Sequence, residues 1–242
     1  MAKLLLIETS TSLCSTALSE GEKIICSRRS SEPRAHASLT AQFIKEMLES
    51  SGWSVNDLDA VAVSAGPGSY TGLRVGVSTA KGLCFGGALP LISVSTLDIL
   101  ARQAIEAGLP EGCKAILPMV DARRMEVYTA VYSPDGVRLT DISPVVLDEN
   151  SFAGLFAEGP VAVIGDAADK FAPLRASTAN EVPPEAGCGC ADGSIFMQCC
   201  PEASAMLVPA IRKYEKKEFE DVAYFEPFYL KQFIATTPKK LF

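Results

Sequence analysis

"SAGPGSYTGLRVGVSTAKGLCFG", residues 64–86, joins a strand end to a glycine loop and then to a helix. The preceding "LDAVAV" is a short apolar run, the pattern of a buried strand. Gly66 and Gly68 allow backbone N–H groups to turn toward an anion, and a helix N-terminus adds positive potential. With Ser69 they form a candidate phosphate loop, although no Gly-Lys-Ser/Thr of a Walker loop follows. A tight strand-to-helix turn leaves the same letters. In the helix, Gly72, Gly76 and Ala80 lie four apart on one face, flanked by Leu73, Val77 and Cys84. Small residues in a row remove the side-chain spacer and let another element approach closely. Internal packing and packing against a second protein produce the same pattern, and both readings stand at this point.

Outward from this stretch, "KLLLIETS", "CSTALSEG" and "EKIICSRRS" read as a strand, a hairpin partner and a third strand. "RAHASLTAQFIKEMLESSG" changes to helical period, with Leu39, Phe43, Met47 and Leu48 recurring, Ile44 alongside, and Gly52 as the stop. "LPLISVS" is another strand, and Ser95 followed by Asp98 marks the start of a helix to about Ala107. The order is β-β-β-α-β-α-β-α. After "GLPEG" it restarts: "CKAILPMVDA" is a strand, "MEVYTAVYSPDGVRLTD" a hairpin turning at Pro-Asp-Gly, and "VAVIG" a short strand. "CCPEASAMLVPAIRKYEKKEF" holds a helix that Pro209 is expected to break or kink. The pattern is that of an α/β protein with two related βββαβα halves, residues 1–107 and 108–242, the final helix able to cross back onto the first half.

Charge and composition narrow the function. With 22 Lys and Arg against 29 Asp and Glu, the chain repels phosphate backbones at long range, so sequence-independent nucleic-acid binding is not expected. Four consecutive apolar residues before Glu8 are too few for a secretory signal, and no run nears the roughly 20 apolar residues of a membrane span. The expectation is a cytoplasmic protein. Cys14, Cys26, Cys84 and Cys113 sit singly and read as reduced packing residues. Cys188, Cys190, Cys199 and Cys200 form CxC and CC, poor matches to zinc-ligand spacing, so no metal site is assigned.

Glu8, Thr9 and Ser10 end the first strand, where α/β sheets bind ligands. Together with Gly66, Gly68 and Ser69 they are the candidate cofactor-binding residues. His36 is the single histidine, which limits metalloprotease and triad chemistry, and it reads as a surface or capping group at a helix start. Asp121, Arg123, Arg124 and Glu126 could contact a ligand between the halves, but an ion-paired turn is the simpler reading. "RKYEKKEFED" and "RRSSEPRAH" read as solvated segments.

"LLLIETSTSLCSTAL", "LDAVAVSAGPGSYTGLRVGVSTAKGL", "LPLISVSTL" and "DARRMEVYTAVY" together resemble the glycoprotease-like family of the actin-like ATPase (ASKHA, ribonuclease H-like) fold. The resemblance covers residues 1–132 and returns in the tail "FEPFYLKQF". It implies two actin-like halves and a part in placing the threonylcarbamoyl group on adenosine 37 of tRNA. It also implies a partner, TsaD, joined by TsaE, with tRNA engaged only through the complex and a homodimer possible when the chain is alone. TsaD proteins carry two histidines four apart where this chain has Thr96 and Leu100. A hydroxyl and an isobutyl group do not replace two imidazole ligands. The resemblance therefore implies a non-catalytic subunit with no cofactor held tightly by itself, ATP and magnesium entering in the complex. It also selects the partner reading of the helix faces, with Leu39, Phe43, Met47, Gly72, Leu73, Gly76, Val77 and Ala80 as the interface. On that reading Gly76→Leu weakens association without harming the fold. The alternatives are an ATPase or sugar kinase using Glu8, Ser10 and the glycine loop, and, further off, a metalloprotease.

Overall fold

A computed structural model describes residues 1–179, 190 and 192–230. In it two five-stranded sheets repeat one topology. The first contains β1 (Lys3–Glu8), β2 (Cys14–Glu20), β3 (Lys23–Ser30), β4 (Ala60–Gly66) and β5 (Leu91–Ser95) in the order β3-β2-β1-β4-β5. The second contains β6 (Ala115–Asp121), β7 (Glu126–Thr129), β8 (Ser143–Val146), β9 (Val161–Gly165) and β10 (Ile195–Gln198) in the matching order β8-β7-β6-β9-β10. In each, three strands pair antiparallel and the last two add in parallel. The helices recur at equivalent places. α1 (His36–Ser51), α2 (Tyr70–Gly87) and α3 (Thr96–Ala107) follow strands of the first half in the chain; α4 (Ala153–Ala157), α5 (Ala168–Ala179) and α6 (Leu207–Lys216) follow strands of the second, with α3 packed on the second sheet and α6 on the first. This repeated α/β plan is the actin-like arrangement.

The central strand explains the layering. Leu4, Leu5, Leu6 and Ile7 are all fully buried, because helices cover both faces of β1. Alternation sends Leu4 and Leu6 to one face, with Ala60, Ala62, Ile92 and Val94. Leu5 and Ile7 go to the other, with Val61 and Val63 and the buried sides of α1 and α2. Burying each such side chain contributes about 1.5–3 kcal/mol. A 3-10 turn at Ala203–Met206 and α6 lie on the Leu4–Leu6 face of the first sheet, through Met206, Leu207 and Ala210. The chain then runs along the edge of that sheet: Glu220 N–H donates to Leu91 O at 2.8 Å, and Phe228 N–H to Ala65 O at 2.7 Å.

Several elements depart from the sequence reading. Pro209 does not break the last helix. It is the third residue of α6, where an N–H has no intrahelical partner to lose. The Pro-Asp-Gly turn is present, with Gly136 N–H donating to Ser133 O at 2.9 Å, but β7 takes its sheet partner from β8, which the sequence did not reveal. α4, α5 and β10 were likewise not anticipated. Cys188 lies outside the described residues, as do residues 231–233 of the tail motif. Among the described residues no helix is long and apolar enough to cross a membrane.

The largest correction concerns the small-residue stripe. Gly72, Leu73, Gly76, Val77 and Ala80 are buried within this chain, as is Met47 of α1. A Cβ at Gly72 would collide with the carbonyl oxygen of Thr9, and one at Gly76 with its hydroxyl oxygen. Thr9 Oγ1 donates to Gly72 O at 2.8 Å, locking α2 onto the end of β1. The stripe admits a strand end of its own sheet, so Gly76→Leu cannot be a silent surface change. We expect Gly76→Leu to destabilise the chain by about 1–3 kcal/mol, the overpacking range, read as a drop in the urea midpoint; an unchanged midpoint would contradict this packing.

Candidate functional site

The turn after β1 and the loop after β4 meet, bringing together the six residues singled out from sequence. Glu8, Thr9 and Ser10 are fully buried. Ser10 N–H donates to Glu8 Oε1 at 2.5 Å, and Ser69 N–H to Ser10 O at 2.6 Å. Ser69 caps α2, its hydroxyl accepting from Gly72 N–H at 3.3 Å. Gly66 holds φ +102, and a Cβ there would crowd Phe228 O at 2.9 Å. A Cβ at Gly68 would collide with Ser10 O.

This geometry is a closed turn. The Ser10 carbonyl occupies the space above Gly68 that a phosphate oxygen would need, and it takes the Ser69 N–H. In this arrangement the Ser69 N–H is spent on the chain itself, and the Gly72 N–H on the Ser69 hydroxyl. Burial pushes Glu8 up to about 7, opposed by hydrogen bonds from Ser10, Ser64 and Thr9. Its second oxygen Oε2 and the hydroxyls of Ser10 and Thr11 have no hydrogen-bond partner among the described residues.

The second half repeats the motif. Asp121 ends β6 as Glu8 ends β1, and Gly165 and Asp166 stand where Gly66 and its loop stand. Asp121 N–H donates to Asp166 Oδ1 at 2.8 Å. Burial, with the Asp121 charge adding, raises Asp166 to about 6. Arg123 and Arg124 adopt left-handed φ of 71° and 51° in the tight β6–β7 connection, closed by Glu126 N–H to Arg123 O at 3.2 Å. The ion pair of Asp121 is with Lys170 on α5, at 2.5 Å, a residue the sequence reading passed over because α5 itself was not seen. His36 Nε2 lies 3.0 Å from Thr11 O, tying the start of α1 to the β1–β2 turn.

Thr96 and Leu100 lie on one face of α3, both fully buried. Leu100 packs with Leu97, Ile116, Val120 and Ile164, so this face is an apolar contact between the halves. Among the described residues no three His, Cys, Asp or Glu side chains converge as metal ligands. Cys199 is pushed up to about 12 by burial and sits 4.0 Å from Gln103 Nε2, while Cys200 Sγ lies 3.4 Å from Ser12 Oγ.

The opposite surface of the first half is different in kind. α1 and α2 enclose an apolar groove of about 410 Å³, lined by Ala41, Ile44, Leu48, Val55, Thr79 and Leu83 and rimmed by Lys45 and Glu49. Leu39 and Phe43 are half-buried, and Phe85 is 86% exposed. α2 carries a second row of small residues four apart, Ser78, Gly82 and Gly86, and this row is the exposed one. That spacing was legible in sequence and was overshadowed by the first stripe.

Two halves of one topology, joined through α3 and bearing a closed turn where actin-like proteins present a loop, define a protein of the actin-like fold class. The chain belongs to the family described as "TsaD: tRNA N6-adenosine threonylcarbamoyltransferase", whose profile matches residues 26–181. Within it the chain is similar to the tRNA threonylcarbamoyladenosine biosynthesis protein TsaB of Escherichia coli, 37% identical over 55% of this chain and 56% of that one. It is 40% identical to TsaB of Haemophilus influenzae, over 56% of each chain. The chain thus aligns with little more than half the length of these relatives. YeaZ from Pseudomonas aeruginosa shares the fold, with TM-score 0.74 and 24% identity over 95% of this chain and 100% of that one.

The raised Glu8 makes stability depend on pH in a defined sense. The unfolded carboxyl releases its proton near 4.5 and the folded one near 7, so the folded state binds more protons between these values. Stability at this site falls as pH rises through that window, by about 3 kcal/mol in all. We expect Glu8→Gln to abolish this part of the decline between pH 5 and pH 8 in urea titrations, and an identical slope in the variant would contradict it.

Proposed function

We propose that the chain serves in making N6-threonylcarbamoyladenosine at position 37 of tRNA, as a non-catalytic subunit that binds and orders TsaD. The observation that carries this reading is the open apolar groove between α1 and α2. Ala41, Val55 and Leu83 keep apolar surface exposed along it, over a floor of the buried Ile44 and Leu48, and no segment among the described residues lies across them. Such a patch is stabilised by burial against another protein. A helix pair from a related subunit, laid across the Ser78–Gly82–Gly86 row, can approach closely because Gly82 and Gly86 have no neighbouring atom within 4 Å. The names of the relatives support the pathway.

The non-catalytic part rests on side-chain chemistry. Thr96 and Leu100 stand where TsaD carries its two histidines, and here Leu100 packs one half against the other. The β4–α2 loop binds the Ser10 carbonyl in place of an anion. TsaE and tRNA join through the assembled complex, where ATP and magnesium enter, and without TsaD the same groove pairs two copies of the chain about a two-fold axis.

The test is association of the purified chain with TsaD from the same genome, by calorimetry and light scattering. The expected result is a complex at micromolar concentration. Leu83→Glu, at the half-buried wall of the groove, is expected to weaken it at least tenfold, about 1.4 kcal/mol, with an unchanged thermal midpoint. No complex at micromolar concentration would overturn the proposal, as would a Leu83→Glu variant that binds as tightly as the parent.

A further inference from the structure

On the face of the first sheet opposite the α1–α2 groove, a cavity of about 250 Å³ opens where α3, the turn after Tyr132 and the start of α6 meet. Four cations line it, Arg102, Arg138, Arg212 and Lys213, with two carboxylates, Asp98 and Asp135. The chain as a whole has more acidic than basic residues, 29 against 22, so the excess of positive charge here is local.

Compensation within the cavity is incomplete. Arg102 Nε bonds Glu106 at 2.8 Å, and among the described residues the partner of Lys213 Nζ is the hydroxyl of Ser93, at 3.4 Å, which itself donates to Glu220. Among the described residues no carboxylate stands within ion-pairing distance of Arg138 or Arg212. Asp98 is held on the wall by the hydroxyl of the fully buried Tyr132, which donates to its Oδ1 at 2.6 Å. Cations gathered in a concave, partly apolar wall focus their field on an entering anion. Ile105, Val208 and Pro209 supply that apolar wall.

We propose that this cavity binds a small phosphate monoester with neighbouring hydroxyl groups, of the sugar-phosphate or mononucleotide class. Guanidinium forks suit a phosphate, which accepts paired N–H bonds in their plane. Asp98 and Asp135 repel a second phosphate but accept hydrogen bonds from sugar hydroxyls. The volume lies below the roughly 300 Å³ at which drug-sized pockets begin, which favours a monophosphate over a dinucleotide. The site shares no residue with the α1–α2 groove, and the inference does not depend on the proposed partner.

Calorimetry of the full chain at low salt tests this, with ribose 5-phosphate as the probe and inorganic phosphate and ribose as controls. The expected order is ribose 5-phosphate tightest, inorganic phosphate several-fold weaker, and ribose without measurable binding. Arg138→Gln and Arg212→Gln change exposed side chains and are expected to keep the parent thermal midpoint while each weakens ribose 5-phosphate at least tenfold. Three results would each overturn the proposal: no saturation by ribose 5-phosphate up to about 10 mM, inorganic phosphate binding as tightly as the sugar phosphate, or both variants retaining parent affinity.

Discussion

The contact between Thr9 and the glycine face of α2 sets the rest of the first half. Thr9 directly follows β1 and pushes both its carbonyl and its hydroxyl into space that only Gly72 and Gly76 leave free. With α2 held there by the Thr9–Gly72 hydrogen bond, three consequences follow from geometry. Ser10 is drawn over Gly68 and closes the loop, while Glu8 is sealed in the interior. The opposite side of α2, with Gly82, Leu83 and Gly86, is turned outward beside α1. One small-residue row thus serves the inside of the molecule, and the neighbouring row, Ser78, Gly82 and Gly86, is the exposed one.

Much of the first half was legible because its signals are strong. Leu4–Ile7 form an unbroken apolar run, the period changes cleanly at residue 36, and Ser95 caps α3 where expected, accepting from Leu97 N–H at 3.2 Å. The second half was less legible for physical reasons. α5 has Pro173 inside it and only weak segregation of apolar and polar residues, so its helical period is faint. β8 is a four-residue strand containing Pro144 with mostly exposed side chains, which reads as loop. Pro209 misled because its effect depends on position, disruptive inside a helix and harmless in the first turn. Glu8, Thr9, Ser10, Gly66, Gly68 and Ser69 do lie together in the fold, but sequence does not say whether a glycine loop's donors face an anion or a carbonyl of the same chain.

The same ambiguity governed α3. Thr96 and Leu100 keep the four-residue spacing at which two side chains share a helix face; Leu100 uses that face for apolar contact with Ile116, Val120 and Ile164 of the second half, and the Thr96 hydroxyl is buried with no hydrogen-bond partner among the described residues. The spacing was legible in the sequence, whereas the contact Leu100 makes across the halves needed the packing.

The central claim is that α2 turns its glycine face inward and its Leu83 side toward a partner. Site-resolved thiol labelling tests it most directly, with native Cys84 as the internal control, since that thiol is 1% exposed and burial pushes it up to about 11. In a Leu83→Cys chain the new thiol is expected to react readily, to become protected when TsaD is added, and to leave Cys84 unreactive throughout. Labelling of Cys84 at the rate of its neighbour, or equal labelling of the new thiol with and without TsaD, would contradict the account.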